Sequence, residues 1–200
     1  MFKKILFLII FLCTHFSVYA LDYSGEFSDR SVLLRSIYGE TKASQEQREL
    51  LSSKKLAPTT QCLIGEIKKG NIENVTLLLK ANVDTNRSYM GNYPIYIASR
   101  YNRYEIVKLL RQNNAKLDRG FYSELYESVR NKNTELAKYL IEEGARVNFQ
   151  DAITGNTILY LSLKNNMHDI SKLLIEKGAR PDNQSLRYIH KHKLTDLIPN

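Results

Sequence analysis

The sequence has little of what enzymes use for chemistry. Only two cysteines and four histidines occur in 200 residues. No Gly-rich phosphate-binding loop, Gly-x-Ser-x-Gly turn or His-Glu-x-x-His helix is present. The sequence therefore lacks the motifs that mark nucleotide hydrolases, serine hydrolases and zinc proteases. We therefore predict a protein that is not an enzyme and that carries no cofactor or metal.

Cysteine is also too scarce to build a disulfide framework. Cys13 lies in an N-terminal segment that we predict to be removed, which leaves Cys62 as the remaining thiol. One thiol cannot close an internal disulfide, so packing must stabilise the fold. Cys62 falls at the start of an apolar helical face, and we interpret it as a small buried hydrophobic residue.

Long hydrophobic runs are missing as well. The apolar run at residues 5–13 follows Lys3 and Lys4, and it is shorter than the roughly 20 residues that span a bilayer. Ala20 supplies a small residue at a cleavage position, so residues 1–20 are predicted to be a secretory signal peptide. We expect export to the periplasm or secretion, from a bacterium. The alternative is that an uncleaved N-terminal segment tethers the protein to a membrane.

Acidic residues are fewer than basic ones. The net charge is +8, and loss of Lys3 and Lys4 with the signal would leave +6. A basic surface favours acidic partners or is simply a solvated face. Export argues against nucleic acid as the partner.

What the sequence does contain is a repeat of about 30 to 34 residues. Three sets of positions recur with the same steps of 32, 30 and 34 residues. These are Leu63, Ile95, Leu125 and Leu159; Glu73, Glu105, Glu135 and Asp169; and Val83, Ala115, Ala145 and Ala179. Agreement across independent positions indicates four copies of one unit.

Each unit has the pattern of two short helices. Apolar residues such as Ile106, Val107 and Leu110 fall on one stripe at helical spacing, and a shorter helix precedes them. Residues that readily take the left-handed conformation follow each second helix, at Asn82, Asn114, Gly144 and Gly178. Because such a pair cannot bury its apolar stripe alone, we predict an all-α stack of helix pairs.

The units resemble the ankyrin repeat. The segments that carry the resemblance in the second copy are Tyr93-Pro94-Ile95-Tyr96-Ile97-Ala98, Glu105-Ile106-Val107-Lys108-Leu109-Leu110 and Asn114-Ala115. The other copies keep parts of the same order, for example Gly144-Ala145 and Gly178-Ala179. The resemblance covers about 120 residues. It implies an ankyrin-repeat solenoid with short hairpin loops and helical caps at both ends.

The chain departs from the family pattern at three places. Tyr96, Tyr126 and Tyr160 stand where the family has histidine, which predicts a bulkier packing arrangement. Glu66 stands where a small packed residue is expected, which suggests a first unit that acts as a polar-faced cap. The junction between the second and third copies is short, so the loop at residues 118–122 is expected to be truncated.

These observations predict the domain organisation. The N-terminal segment 21–58 is expected to be a helical or partly disordered cap, and Ser185 is expected to cap the start of a C-terminal capping helix within 183–200. The repeats occupy 59–182, divided at about 59–88, 89–118, 119–151 and 152–182.

Loop tips and the ends of first helices are the contact positions that the resemblance implies. They are Lys68, Lys69, Tyr89, Met90, Asn92, Arg100, Tyr101, Tyr122, Arg130, Asn131, Ile153, Thr154, Asn156, Lys164 and Asn165. Lys68, Arg100, Arg130 and Lys164 share one position in the repeat and would form a cationic line across the concave face. The alternative is that each cation only complements the dipole at a helix C-terminus.

The leading hypothesis is an exported monomer that binds another protein, possibly through an acidic segment of that partner. An alternative is a periplasmic inhibitor or immunity factor for a toxin or enzyme. A second alternative, a small metal- or redox-linked protective enzyme, requires His190, His192 and Cys62 to converge.

Overall fold

The computed structural model describes residues 45–197, and the secondary structure of that part is helical. It contains ten α-helices, one 3-10 turn and two isolated β-bridges, with no strand in that span. The predicted signal peptide at 1–20, the first part of the predicted cap up to residue 44, and residues 198–200 lie outside the described residues. The expectation of an all-α fold is confirmed.

The helices are arranged in consecutive pairs. The helix α1 (Gln45–Ser53) is followed by the pairs α2 (Thr60–Lys69) and α3 (Ile72–Lys80), α4 (Pro94–Arg100) and α5 (Tyr104–Gln112), α6 (Glu124–Arg130) and α7 (Thr134–Glu142), and α8 (Ile158–Lys164) and α9 (His168–Glu176), and then by α10 (Asn183–His192) and the 3-10 turn Thr195–Leu197. The first helices α2, α4, α6, α8 and α10 pack side by side, and the second helices form another layer. The predicted solenoid of helix pairs is therefore confirmed. We number the four pairs as units 1 to 4.

Left-handed residues end the helices, as their positions in the repeat predict. Asn82, Asn114, Gly144 and Gly178 have φ of 60°, 63°, 83° and 88°. A second set separates the two helices of each unit, at Gly70, Asn102, Lys132 and Asn166. Glycine and asparagine tolerate this conformation better than other residues. Lys132 adopts it at the equivalent place in unit 3, so the chain reverses at the same two points in every unit.

One leucine position supplies the centre of the core in every unit. Its side chain is fully buried in all four copies, with 0% exposure at Leu78, Leu110, Leu140 and Leu174. Burying a leucine stabilises a fold by about 1.5–3 kcal/mol. The four leucines therefore anchor the second helices against the first helices.

Asparagine side chains join neighbouring units at the turn that follows the second helix. The Asn86 amide donates to the carbonyl of Asn114 at 2.8 Å, and its oxygen accepts from the Lys116 N–H at 2.8 Å. Asn148 makes the same two bonds, to Gly178 at 2.9 Å and Arg180 at 2.8 Å. Each side chain thereby satisfies one acceptor and one donor of the next unit.

Asp118 occupies the same position at the shortened junction between units 2 and 3. One carboxylate oxygen, Oδ2, accepts from the Arg146 N–H at 2.6 Å. The other, Oδ1, is buried and has no hydrogen-bond partner among the described residues. Asparagine places an amide donor at this point in Asn86 and Asn148, whereas aspartate can only accept. The aspartate therefore leaves this junction with an uncompensated buried oxygen.

Candidate partner-binding surface

Four cations lie at the C-terminal ends of successive first helices. Lys68, Arg100, Arg130 and Lys164 all have exposed side chains in the last turn of α2, α4, α6 and α8. Because these helices pack side by side, the cations follow one another along one face of the stack. We call them the cationic line. The helix dipole favours positive charge at each of these places.

In the middle of the cationic line, the charge of Arg130 is partly neutralised by a buried carboxylate of the same helix. Glu127 is 6% exposed, and its Oε2 lies 2.7 Å from Nη2 of Arg130. The Tyr96 hydroxyl donates to the other oxygen of Glu127 at 3.1 Å. Arg130 therefore balances a buried carboxylate as well as facing solvent.

The charges at the two ends of the cationic line, Lys68 and Lys164, are less compensated by carboxylates than that of Arg130. Lys68 lies with its Nζ 6.0 Å from the centre of the Tyr101 ring. Neither Lys68 nor Lys164 forms an ion pair with any carboxylate in residues 45–197. These two ammonium groups remain available to an acidic partner.

Lys69 is engaged within its own helix. Its Nζ lies 2.6 Å from Oε1 of Glu66, which is only 4% exposed. Asn74 donates to the other oxygen of Glu66 at 2.8 Å. Although burial opposes ionisation, the hydrogen bonds from Lys69 and Asn74 hold the pKa of Glu66 below its usual value. Glu66 is thus buried at the position where a small packed residue was expected, and these hydrogen bonds compensate its carboxylate. That the first unit acts as a polar-faced cap stays a prediction.

Two of the predicted contact residues connect units to each other. The Asn131 amide donates to the carbonyls of Ser99 at 3.2 Å and Arg100 at 3.1 Å. The Asn165 amide donates to the carbonyl of Val129 at 2.7 Å. Both side chains satisfy carbonyls at the end of the preceding first helix, which have no partner within that helix. Their bonds hold the cationic line in place.

Tyrosines at the position of the family's histidine also reach the next unit. The contacts are Tyr96 stacked on Tyr122 at 4.9 Å, the hydroxyls of Tyr126 and Thr154 at 3.3 Å, and Tyr160 edge-on to Tyr188 at 6.3 Å between ring centres. Burial, together with the Glu127 carboxylate, raises the pKa of Tyr96 to about 12. The predicted bulkier packing is present, and it draws Tyr122 and Thr154 into contacts within the protein.

Internal hydrogen bonds shape the loops that carry the remaining predicted residues. Tyr89 and Asn92 pair through their backbones around the turn Met90-Gly91, where φ is 49° and 74°. Asp151 accepts from the N–H and hydroxyl of Thr154 at 2.8 and 2.7 Å. The hydrogen bonds from Thr154 hold the pKa of Asp151 below its usual value. Asn156 accepts from the Asp151 N–H at 3.0 Å and closes the same loop.

Three loop residues are almost fully exposed despite large apolar side chains. Met90 is 83%, Phe121 96% and Ile153 91% exposed. We call these three the tip residues. Met90 and Ile153 are among the predicted contact positions, whereas Phe121 is not. The sequence signal that could have identified Phe121 is an aromatic residue placed between Gly120 and the start of α6.

The residues that a metal site would need are not brought together. Cys62 lies in α2, whereas His190 and His192 lie in α10 beyond units 2 to 4. His192 stacks on Tyr188 with ring centres 4.2 Å apart. Residues 45–197 contain no group of three or more His, Cys, Asp or Glu side chains that could hold a metal ion.

The helices of this part of the chain are all short. No helix between residues 45 and 197 is both long enough and apolar enough to cross a bilayer.

Comparisons with known families and proteins match parts of the chain to ankyrin repeats. Residues 125–191 match the model for ankyrin repeats in three copies, and residues 90–119 match that for a single ankyrin repeat. The BRCA1-associated RING domain protein 1 of Caenorhabditis elegans is 26% identical over 125 residues, which cover 60% of this chain and 18% of that protein. A putative ankyrin repeat protein of Acanthamoeba polyphaga mimivirus is 33% identical over 99 residues, which cover 46% of this chain and 13% of that protein. The chain spans less than a fifth of the length of either relative.

Proposed function

Residues 90–119 and 125–191 are ankyrin repeats, and from this premise we propose that the protein is a scaffold that binds another protein through its concave, first-helix face. The observation that supports this most directly is the cationic line, in which four exposed cations follow one another on neighbouring first helices. An acidic segment of the partner would complement it. The side chains in this surface offer contacts suited to binding.

The ends of the cationic line provide the sharpest test of this proposal. Lys68→Glu with Lys164→Glu reverses two exposed charges that form no ion pair within residues 45–197. We expect capture of an acidic polypeptide, such as polyglutamate, and of partner protein to fall by roughly tenfold or more. Surface plasmon resonance or a pulldown measures the loss, and thermal unfolding should stay nearly unchanged.

A matched control distinguishes an effect of the cationic line on binding from an effect of the overall net charge. Lys138→Glu with Lys172→Glu changes the net charge equally, but these exposed lysines lie on the second helices α7 and α9. This control should bind like the unaltered protein. Equal losses in both variants would assign binding to overall charge, and equal retention would remove the cationic line from the site. Arg130 is unsuitable for reversal because it balances the buried Glu127.

We also propose that the protein is exported, with the signal-like sequence of residues 1–20 as support. Residues Lys3 and Lys4, the apolar run and Ala20 follow the order of a cleavable signal. N-terminal sequencing of the protein recovered from its producing cells should begin at Leu21. A sequence that begins at Met1 would instead favour membrane tethering or retention in the cell.

A further inference from the structure

The three tip residues lie along one edge of the stack. Met90, Phe121 and Ile153 stand four to six residues before Ile95, Leu125 and Leu159, which hold equivalent positions in units 2, 3 and 4. No other large apolar side chain in residues 45–197 is more than half exposed. Exposed apolar residues normally occur singly and scattered, so a row at corresponding places indicates an interaction surface.

Contacts between the loops hold this edge together. Gly120 packs against the Tyr93 ring so closely that a Cβ there would lie 3.4 Å from it. The guanidinium of Arg119 lies 5.7 Å from the centre of the same ring. The loop that carries Phe121 is thereby fixed against the base of the hairpin that carries Met90. Met90 and Phe121 are therefore carried by loops that contact each other, whereas the loop of Ile153 is closed by its own Asp151–Thr154 hydrogen bonds.

Tyrosines and arginines lie next to the tip residues. Tyr89 adjoins Met90, and Tyr122, which is 49% exposed, adjoins Phe121. Arg87 and Arg119 are exposed within three residues of Met90 and Phe121. Apolar chains, tyrosine rings and basic groups are the three kinds of side chain that suit the acyl, interfacial and phosphate layers of an anionic bilayer.

We propose that this edge docks peripherally on an anionic lipid bilayer, with the tip residues inserted among the acyl chains. Each of the three loops exposes a single tip residue, and the loops belong to successive units. A bilayer accepts such isolated side chains without preformed pockets, whereas a protein would need three matched pockets. The net charge, +8 for the full chain and +6 without residues 1–20, adds attraction to anionic headgroups. This role goes beyond the binding of a protein partner at the cationic line.

The absence of tryptophan from all 200 residues permits a test with a single fluorescent site. In the full chain, Phe121→Trp should shift its emission to the blue when vesicles of phosphatidylcholine and phosphatidylglycerol are added. Brominated acyl chains should quench that emission. Lys138→Trp, on the exposed side of α7, is the control and should show neither effect. Both variants retain the N-terminal apolar run, so their difference reports the tip alone.

A second variant tests whether the tip residues act together. Adding Met90→Ser and Ile153→Ser to Phe121→Trp should raise the lipid concentration needed for half of the shift by roughly tenfold or more. Vesicles of phosphatidylcholine alone should also require more lipid. Emission that no vesicle shifts, or an equal response at Lys138→Trp, overturns the proposal. A shift with polyglutamate and none with vesicles assigns the edge to a protein partner and overturns it as well.

Discussion

Raising the pH from about 5 to about 8 is expected to lower the free energy of unfolding by on the order of 3 kcal/mol through Glu124 alone. Glu124 begins α6 and is 2% exposed. Burial raises the pKa of Glu124 to about 7, and the nearby Asp118 carboxylate adds to the shift. The Asp118 N–H, 3.2 Å from Glu124 Oε2, and the charge of Arg146 oppose it without cancelling it.

The direction of the effect follows from proton binding in the two states. In the unfolded chain the Glu124 carboxyl titrates near the ordinary glutamate pKa of 4.5, whereas in the folded protein its pKa is about 7. Between these values the folded state holds a proton that the unfolded state has released, so stability falls as the pH rises. Above that window both states are ionised, and the loss becomes constant.

Urea unfolding at a series of pH values measures this effect. The control is Glu124→Gln, which keeps the shape of the side chain but cannot titrate, and the difference between the two profiles isolates Glu124. Asp118→Asn removes the carboxylate that adds to the shift, so it should move the window to lower pH. It should also supply a donor at the position of the unpartnered Oδ1. Parallel profiles for Glu124→Gln and the unaltered protein would contradict the prediction.

Leu140→Ala is expected to cost about 2–5 kcal/mol of stability, because truncation leaves a cavity in a closely packed region. Leu140 is 0% exposed in α7, and unit 3 has neighbours on both sides. The loss should appear as a lower midpoint in urea. Hydrogen exchange should show faster opening of α6 and α7 than of more distant helices, because each unit contacts only its neighbours.

The repeat supplies matched comparisons for this substitution. Leu110→Ala changes the same position of unit 2, which also has neighbours on both sides, and should cost a similar amount. Leu50→Ala, at 40% exposure on α1, should cost much less. A loss at Leu140 no larger than that at Leu50 would show that this leucine position does not carry the core.

The sequence predicts the helix pairs and their ends because the determining information is local and repeated four times. Leu110 and its equivalents recur at one place in each unit, and Asn114 and Gly144 mark the left-handed caps that the structure contains. A single copy as divergent as the first would have been ambiguous. Agreement among the copies fixes the unit boundaries.

The charge balance of the surface is not predictable in the same way. Glu66 and Glu127 are buried and are paired with Lys69 and Arg130. Each pair lies within one helix at a spacing of three residues, which the sequence does show. The burial of each carboxylate also depends on a hydrogen bond from another helix, from Asn74 or Tyr96, which the repeat pattern does not encode. Asn131 likewise occupies a place that suits a partner contact and an inter-unit bond equally well.

The asparagine bonds between units bear on how such a chain can change during evolution. Asn86, Asn131, Asn148 and Asn165 all bind main-chain atoms of the adjoining unit, and every amino acid except proline supplies both the carbonyl and the N–H. A duplicated or exchanged unit would therefore find its bonding partners without any compensating substitution. Tyr96 is different, because it binds the side chain of Glu127. The Tyr126 hydroxyl likewise meets the side chain of Thr154 in unit 4. An exchanged unit would keep these two contacts only if the partner side chain were inherited with it.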